Sequence, residues 1–528
     1  MTDDFWAELR ATALLGTDRR PLPAPGGDGP LAVAAGAVRR DDPATALLEL
    51  AALATVRRRA GLLPAEAPPA GPAAAPDDRP PLPEPAARRL AVLLAGRAPG
   101  HAGTLANLTE LLPQWLSRAR ESGHRPPAAL VPALLDTARA RGELRGDAVA
   151  LAGPLGRWLA ERNPDWSYVL RTVPEAAEPG RPGDERAWEE GLFAERVTHL
   201  TRLRRRDPAA ALALLAGSWP TERAEDRLLF LDALQENLGE SDEPFLEAAL
   251  GDRSKNVRAT AAELLTTLPG SALGSRMAER ARAAVRLSEG RLLVSPPTEC
   301  DPAMRRDGIA PRSPTGRGQR AWWFGEIVAA TPLRTWTAEL DLTPAELIAL
   351  PVAGATAEPE SAEWRDDLRE AWARAAVRQR DADWARALLG PAPRRSGAVR
   401  SAGAPARLLA VLPPAERAAW TAAFLRSHGL GDAFQLLGAC ATPWTPPLST
   451  AVVAALERAA AAGSYPWSHS GVLGMTERSL SPAAAPAVEA LAADAVPDSA
   501  WAETFGRLAG TLRFRAAMLA ELSPGDGP

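Results

Sequence analysis

The stretch from Asp242 to Val285 constrains the fold of this chain most strongly, because its apolar residues recur at a helical period. Positions i, i+4, i+7, i+8 and i+11 are occupied by Val257, Ala261, Leu264, Leu265 and Leu268. This spacing puts all of them on one face of an α-helix. An amphipathic helix needs a second element that covers its apolar face. The stretch therefore predicts a helix that packs against neighbouring helices.

The residues on either side of this helix predict its neighbours and the turns between them. Leu246 and Leu250 belong to a preceding helix, and Asp252 and Ser254 supply a turn oxygen and an N-cap oxygen. Pro269-Gly270 ends the helix, and a third helix is expected directly after it. Helix pairs joined by short turns stack side by side. We therefore predict an all-α protein, an α-solenoid of stacked helix pairs.

This unit also resembles a known repeat family. The resemblance to the turn and second helix of HEAT-type repeats lies in Asp252, Val257, Arg258, Leu264 and Leu265. In that family, an aspartate in the turn and an arginine on the second helix commonly bond across neighbouring repeats. The resemblance covers one repeat well and the rest of the chain poorly. It implies a HEAT-like solenoid.

Three other segments resemble an uncharacterised bacterial family: Thr12 to Pro23, Asn163 to Leu170, and Pro296 to Pro311 followed by Trp322 and Trp323. Genes of that family usually stand beside genes for MoxR-type AAA ATPases and von Willebrand A-domain proteins. The resemblance therefore implies a protein partner from one of these two classes. Because the family has no assigned activity, the resemblance implies no catalytic residue.

Charge and cysteine content argue against several classes of protein. The formal net charge is −4, whereas affinity for a nucleic-acid backbone depends on a positive face. The two cysteines, Cys300 and Cys440, are too few for a disulfide framework or a zinc cluster, which fits a reducing cytoplasm. Acidic residues interrupt the first ten positions, so no secretory signal is expected. Prolines interrupt the longest uncharged run, residues 438–456, so we expect a soluble, cytoplasmic protein without a membrane partner.

Changes in composition along the chain predict five segments. Residues 1–63 form an N-terminal helical segment, and residues 64–85 form a linker with nine prolines and few bulky apolar side chains. Such a linker is either disordered or laid over the surface. Residues 86–290 form a lobe of helical repeats, and residues 321–528 form a second helical lobe. Between the lobes lies a long irregular insertion, residues 291–320.

Local signals mark the starts of several helices. Asp42 stands before Pro43 as an N-cap, and Thr343 stands before Pro344 with Glu346 as the acid of a capping box. These signals predict where a helix begins, because a cap involves only residues within one turn.

A weak internal repeat relates residues 204–217 to residues 378–391 without gaps and matches Asp207 with Asp381. Residues 39–50 are a looser third copy. Two interpretations stay open. The shared aspartate is simply a good helix start, or the segments are copies of one structural unit.

The insertion at residues 291–320 is our candidate binding site, because a long stretch without regular structure in a helical protein is usually functional or disordered. Arginines concentrate there beside aromatic side chains, and the proposed binding residues are Arg305, Arg306, Asp307, Arg312, Arg317, Arg320, Trp322 and Trp323. Such a set suits recognition of a carboxylate, a phosphate or an acidic protein surface. The alternative is a surface insertion with solvated arginines, whose tryptophans begin the next core helix. Leu292 to Val294 predict a short strand at its start.

The sequence offers little catalytic chemistry. No histidine pair has the spacing of a zinc motif, and no nucleotide-binding loop or nucleophile elbow occurs, so we expect no metal and no cofactor. Ser468, His469 and Ser470 stand together, but sequence neighbours seldom face each other as a catalytic pair must. Nearby arginines would lower the pKa of Cys300, and the alternative is a plain loop cysteine.

Together these observations favour a non-enzymatic scaffold for protein–protein interaction, an accessory to a system of an AAA ATPase and a von Willebrand A-domain protein. The alternative is a nucleic-acid-binding or repair protein that uses a concave face with Arg and Trp, as HEAT-like DNA glycosylases do. The sixteen tryptophans bear on this choice, because they line either the core or a binding face. An enzyme is the third possibility.

Overall fold

A computed structural model describes residues 3–27, 29–60, 72–96, 108–171, 188–189, 191–314, 316, 318–355, 361–392 and 403–522. The chain divides into two compact units, residues 1–74 and residues 75–528. The division falls inside the segment 64–85, whose prolines predict a linker. Each unit is described by itself below.

The first unit contains helices α1 (Asp3–Leu15), α2 (Pro30–Gly36) and α3 (Pro43–Ala60). Its core consists of the buried side chains of Phe5, Leu9, Ala35, Leu50 and Ala54. The predicted N-cap of α3 is confirmed, because Asp42 Oδ1 accepts a hydrogen bond from the Ala44 amide at 3.0 Å. This cap satisfies an amide that has no partner inside the helix.

The second unit is also built from helices. Before its strands they are α4 Glu84–Ala95, α5 Leu112–Glu121, α6 Val131–Ala140, α7 Arg145–Ala160, α8 Ser167–Arg171, α9 Phe193–Arg206, α10 Pro208–Ser218, α11 Ala224–Ala233, α12 Glu243–Ala249, α13 Lys255–Thr266 and α14 Ala272–Ala284. After the first two strands they are α15 Pro302–Arg306, α16 Gln319–Ala330, α17 Leu333–Leu340, α18 Pro344–Ala349, α19 Ser361–Gln379, α20 Ala382–Leu389, α21 Gly403–Val411, α22 Pro414–Leu425, α23 Phe434–Gly438, α24 Pro446–Ala461, α25 Ser470–Ser479, α26 Ala485–Asp494 and α27 Ala500–Ala520.

Short 3₁₀ helices join several of these elements. They are Leu108–Leu111, Ala128–Leu130, Gly142–Leu144, Pro164–Trp166, Trp219–Thr221, Glu240–Asp242, Pro466–His469 and Pro482–Ala484. The protein is therefore all-α, as the helical periodicity predicts, with one small sheet described next.

The small sheet has three strands, β1 (Val285–Ser288), β2 (Arg291–Val294) and β3 (Val352–Gly354). Strand β1 pairs antiparallel with β2, and β2 pairs parallel with β3. The strand predicted at Leu292 to Val294 is confirmed as β2. The start of the predicted irregular insertion is therefore regular structure, held by the pairing of Leu292 with Val352.

The helix predicted from the apolar stripe is α13, and the four stripe residues inside it are buried. Two details differ from the predicted unit. Ser254 occupies the N-cap position but its side chain makes no capping hydrogen bond. The Asp252 carboxylate pairs with Arg227 on α11, the helix before α12, whereas Arg258 donates to the Asp252 backbone carbonyl at 2.7 Å. This ion pair therefore joins α11 to the turn between α12 and α13 through Arg227.

The predicted capping residues elsewhere in the second unit act as caps. Thr343 and Glu346 form a capping box at the start of α18. Asp207 accepts from the Ala210 amide at the start of α10, and Asp381 accepts from the Trp384 amide at the start of α20. Both matched aspartates of the weak repeat therefore begin helices. This finding is compatible with both interpretations, a shared helix start and a repeated structural unit.

The buried apolar side chains described in the second unit form two clusters. One cluster draws on residues 82–169 and the other on residues 188–512. The last helix, α27, contributes to both, because Phe505 and Leu508 belong to the larger cluster and Met518 to the smaller one. The predicted division into two lobes at residues 290 and 321 stays a prediction.

Part of the predicted linker lies against helix α7. This helix is kinked at Gly153, where φ is +56°, and contains Pro154. Proline has no amide hydrogen, so the carbonyl of Ala150 lacks its helical donor. The guanidinium of Arg79 donates to the carbonyl oxygens of Ala150 and Leu151, each at 3.0 Å. An arginine of the proline-rich segment thereby satisfies two acceptors that the kink leaves free.

The structure shows whether the tryptophans line the core or a binding face. Nine of them are buried, namely Trp115, Trp166, Trp188, Trp323, Trp336, Trp372, Trp384, Trp444 and Trp501. Six are half-buried, and Trp467 is the exposed one. Most tryptophans therefore contribute to the core, where their large rings remove much apolar surface from water.

Candidate functional site

The predicted binding residues lie between the end of strand β2 and the first turn of helix α16. This segment contains the short helix α15, whose N-cap Asp301 accepts a hydrogen bond from the Met304 amide at 2.7 Å. Met304 is buried and Arg305 and Arg306 are exposed. The helix thus places an apolar side chain inward and two guanidinium groups outward.

Asp307 does not face a partner, because it is buried within the protein and only 3% exposed. Its carboxylate accepts from Arg276 at 2.8 Å and from Arg280 at 2.7 Å, and both arginines lie on α14. Arg276 also donates to Glu247 on α12 at 3.0 Å. Burial lowers the pKa of Arg276, but its hydrogen bonds to Asp307 and Glu247 outweigh burial and raise it. Asp307 therefore holds the segment on α14.

The two residues after Asp307 continue this attachment. Gly308 has a φ of +93°, and a Cβ atom there would stand 2.5 Å from the Cβ of Ala262 on α13. Only glycine fits that combination of backbone conformation and close approach. Ile309 is buried, and its amide donates to the Met304 carbonyl at 3.0 Å. The segment is thus packed against α13 as well as α14.

The two predicted tryptophans hold the far end of the segment. The indole of Trp322 donates to the Ala310 carbonyl at 3.1 Å, and that of Trp323 donates to the Pro311 carbonyl at 3.2 Å. Trp323 is buried as part of α16, and Trp322 is half-buried. The alternative in which the tryptophans begin the next core helix therefore describes both, since Trp322 also packs against the larger apolar cluster. Their hydrogen bonds also fix the loop that precedes them.

The remaining arginines of the predicted set have different environments. Arg320 is exposed and donates to the Pro296 carbonyl at 3.2 Å. Arg317 lies outside the described residues. Arg305, Arg306 and Arg312 are exposed, and no carboxylate of the described chain lies within ion-pair distance of any of them. The structure therefore separates a buried aspartate from a set of outward guanidinium groups, which we call the arginine surface (Arg305, Arg306 and Arg312).

Cys300 lies in the same segment but is not activated. Its thiol donates to the Ile309 carbonyl at a sulfur–oxygen distance of 3.8 Å. Burial raises the pKa of the Cys300 thiol, and the positive charge of Arg305 lowers it by less. A thiol with a raised pKa is a weaker nucleophile at neutral pH, because less of it is thiolate. Arg305 does lower this pKa, as expected, but burial raises it by more, which favours the alternative of a plain loop cysteine.

The serine and histidine cluster also lacks the geometry of a catalytic pair. His469 Nε2 lies 3.2 Å from the hydroxyl of Ser464, and the Ser468 hydroxyl donates to the Tyr465 carbonyl. The Ser464 hydroxyl donates its only proton to the Ala459 carbonyl at 2.6 Å. It therefore accepts from His469 and gives that histidine no proton to remove.

An exposed aromatic pair stands beside this histidine, and sequence reasoning did not single it out. Tyr465 is 65% exposed and Trp467 is 75% exposed, with ring centroids 6.4 Å apart and planes 23° apart. The ring of Phe434, which is also exposed, lies over Gly471 at the start of α25. The signal that was available is the position of the two aromatic residues on either side of Pro466, in a stretch without helical periodicity.

A shallow cleft of about 490 Å³ lies among α17, α18 and α20. Its charged lining residues are Arg334, Asp341, Glu346, Asp381 and Asp383. Three of these carboxylates have local partners, because Glu346 and Asp381 cap helices and Asp383 pairs with Arg386. These three carboxylates therefore already have partners within the protein, two as helix caps and one in an ion pair.

Comparison with known protein families identifies the chain. A family model described as a family of unknown function, DUF5691, matches residues 8–522. The chain belongs to this family. The match covers nearly the whole chain and includes residues of both units. No curated protein matches the chain, and no solved structure does.

Two further properties of this DUF5691 member concern the residues that the structure describes. No three histidine, cysteine, aspartate or glutamate side chains in the described ranges come together in a way that would hold a metal ion. None of the helices described here is both long enough and apolar enough to cross a membrane. The arginine surface combines a backbone held by buried contacts with exposed guanidinium groups.

Proposed function

We propose that this protein is a non-enzymatic scaffold that binds an acidic surface of another protein through its arginine surface. The observation that carries the proposal is that Arg305, Arg306 and Arg312 are exposed on a segment that the buried ion pairs of Asp307 hold in place. These three guanidinium groups stand on one ordered segment, and no carboxylate of the described residues pairs with them. Elsewhere its arginines commonly pair with acids, as Arg196 does with Glu222.

The physical argument concerns the cost of ordering a binding loop. A mobile loop loses conformational entropy when it binds, which weakens the interaction. The segment at residues 296–314 is already held by Asp307, Ile309 and the indoles of Trp322 and Trp323. Its arginines therefore meet a partner with their backbone in place. Guanidinium groups suit carboxylates because their planar donors bind both oxygens of the acid.

The class of partner comes from the family resemblance. It implies a MoxR-type AAA ATPase or a von Willebrand A-domain protein, and the proposal assigns an acidic face of one of them to the arginine surface. We also infer a HEAT-like solenoid whose stacked helix pairs present a long concave face, supported by the Asp252–Arg227 ion pair, which joins α11 to the turn between α12 and α13. A cytoplasmic location is part of the proposal, supported by the two free cysteines.

Binding measurements with purified proteins test the proposal. The full chain is titrated against the AAA ATPase and the von Willebrand A-domain protein of the same organism. The variant Arg305→Glu/Arg306→Glu/Arg312→Glu should raise the dissociation constant at least about a hundredfold, because charge reversal at the centre of an interface replaces attraction by repulsion. Affinity of the unchanged protein should fall as salt is added. Equal binding by the variant and the unchanged protein would overturn the proposal.

A matched control separates the site from net charge. The variant Arg206→Glu/Arg253→Glu/Arg369→Glu changes the net charge by the same amount at exposed arginines outside the segment. It should bind as the unchanged protein does. A second titration with duplex DNA at about 100 mM salt addresses nucleic-acid binding. Tight DNA binding that is lost only in the Arg305, Arg306 and Arg312 variant would favour the nucleic-acid alternative.

A further inference from the structure

Helix α3 of the first unit has two apolar faces, and the core covers one of them. Ala46, Leu50 and Ala54 stand four residues apart and are buried. Leu48, Ala52 and Val56 are also four residues apart. Because each residue turns the helix by about 100°, the second set lies on the side opposite to the first.

The second face is open to solvent. Leu48 is 72% exposed, Val56 is 65% exposed, and Ala52 between them is exposed. We call these three residues the outer stripe. A helix that is apolar on both sides is normally covered on both, since exposing large aliphatic side chains in a row is unfavourable. The outer stripe is therefore a candidate docking surface.

The charges at the ends of α3 indicate what kind of occupant fits this surface. Asp41 and Asp42 stand immediately before the helix, and Arg57, Arg58 and Arg59 end it. Asp42 also caps the helix, and Arg58 lies over the ring of Trp6. Asp41 and Arg59 are exposed, and no ion pair within the described residues engages either of them. The helix thus has a negative beginning, a positive end and an apolar centre.

We propose that the occupant is a second copy of this chain, whose α3 packs antiparallel across a two-fold axis at Ala52. An axis there brings Leu48 of each copy against Val56 of the other. It also brings Arg59 of each copy to the acidic turn at Asp41 and Asp42 of the other. A two-fold interface uses the same surface twice, so it requires this kind of self-complementarity. Parallel packing would instead place arginines against arginines.

The size of the contact sets its strength. The small side chain of Ala52 at the crossing point lets two helix axes approach to about 8 Å. One helix per copy buries less than the roughly 1,600 Å² of a standard interface. The dimer is therefore expected to form at micromolar protein concentrations and to dissociate on dilution.

Sedimentation velocity of the full chain over a range of concentrations tests the proposal. The unchanged protein should shift from monomer to dimer as its concentration rises. Leu48→Glu/Val56→Glu should weaken the dimer at least tenfold, because it places charges in the apolar centre. Leu14→Glu is the matched control, since Leu14 is an exposed leucine of the same unit outside the outer stripe. It should leave the dimer unchanged. Circular dichroism confirms that each variant is folded.

A charge swap tests the antiparallel arrangement. Arg59→Asp alone and Asp41→Arg alone should each weaken the dimer, because each places like charges together. The double variant Asp41→Arg/Arg59→Asp should restore it, since the swapped charges attract again. A protein that is monomeric at all concentrations overturns the proposal, as does a dimer that the outer-stripe variant leaves intact. Failure of the double variant to restore the dimer overturns the antiparallel arrangement. None of these variants touches the arginine surface, so the two proposals fail separately.

Discussion

Arg89 and Glu521 form a bidentate ion pair although 432 positions separate them in the chain. Arg89 Nε donates to one carboxylate oxygen at 3.1 Å and its terminal nitrogen donates to the other at 2.5 Å. The same guanidinium lies 4.3 Å from the ring centroid of Phe514. The end of the last helix, α27, is thereby joined to α4, the first helix of the second unit. The same end of α27 also contributes Met518 to the smaller apolar cluster.

Removing this pair should loosen the end of α27. Glu521→Ala should lower the free energy of unfolding by about 1 to 3 kcal/mol, because the carboxylate makes two charge-assisted hydrogen bonds at a largely buried position. Arg89→Ala should cost more, since it also removes the contact with Phe514. Hydrogen exchange of the amides in α4 and α27 measures the change. Arg88→Ala is the control, because Arg88 pairs with Glu84 in an exposed position and should change little.

A second ion pair lies wholly in the interior. Arg204 and Asp242 are both fully buried, and their charged groups are 2.7 Å apart. Arg204 also donates to the carbonyls of Glu236 and Asn237. Asp242→Ala should lower the free energy of unfolding by about 3 to 5 kcal/mol, because it leaves a buried guanidinium without a counter-charge. Denaturant-induced unfolding measures the loss.

The neighbouring Arg205 provides a matched control for that variant. Arg205 lies on the same helix and pairs with Glu236 at the surface. Arg205→Ala should lower the free energy of unfolding by less than about 1 kcal/mol, since water screens an exposed pair. Equal losses in the two variants would contradict the importance assigned to burial.

The attachment of the arginine surface can be tested without knowing its partner. Asp307→Ala removes the common acceptor of Arg276 and Arg280 and should free the segment from α14. Trypsin should then cleave after Arg305 and Arg306 at least about tenfold faster, because a loss of about 1.4 kcal/mol raises the population of the open segment tenfold. Mass spectrometry of the fragments measures the rate. Glu299→Ala, at an exposed acid of the same segment, should cleave at the original rate.

Alkaline pH should reveal the burial of Tyr168. Burial raises the pKa of Tyr168 from 10.0 to about 12, and its hydroxyl donates to the Leu135 carbonyl at 2.8 Å. A raised native pKa means that the folded state holds the phenolic proton more tightly. The stability from this group is therefore complete below pH 10 and is lost as the pH rises through about 12.

Near-ultraviolet absorbance of tyrosinate measures this ionisation directly. The step near pH 12 should disappear in Tyr168→Phe and persist in Tyr465→Phe, because Tyr465 is the exposed tyrosine. Persistence of the step in Tyr168→Phe would contradict the assignment.

Helix type and helix starts followed from the sequence in several places. The stripe of α13 and the caps at Asp42, Asp207, Thr343 and Asp381 all depend on residues within one or two turns of each other. Interactions of that range are visible in the order of residues, because the helical period fixes which side chains are neighbours. The strand at Leu292 to Val294 was also predictable from its apolar run, but its pairing with Val352 was not.

The candidate site was predictable only as a segment. The sequence located an arginine-rich stretch with two tryptophans after it, yet it grouped Asp307 with the binding residues. Asp307 is instead an acceptor for two arginines on α14, about thirty positions earlier in the chain. No local pattern marks such a pair, since many arginines precede this aspartate and the sequence does not say which of them will face it.

For this protein, the sequence by itself determined an all-α chain with its helix starts, its apolar stripes and its arginine-rich segment. These depend on the spacing of residues along one helix, which the covalent chain fixes. The tertiary structure decided which charges are buried together, such as Arg204 with Asp242, and which arginines stay exposed. It decided this because the free energy of a charge depends on its distance from water and from its counter-charge. Those distances are set only when separate helices pack.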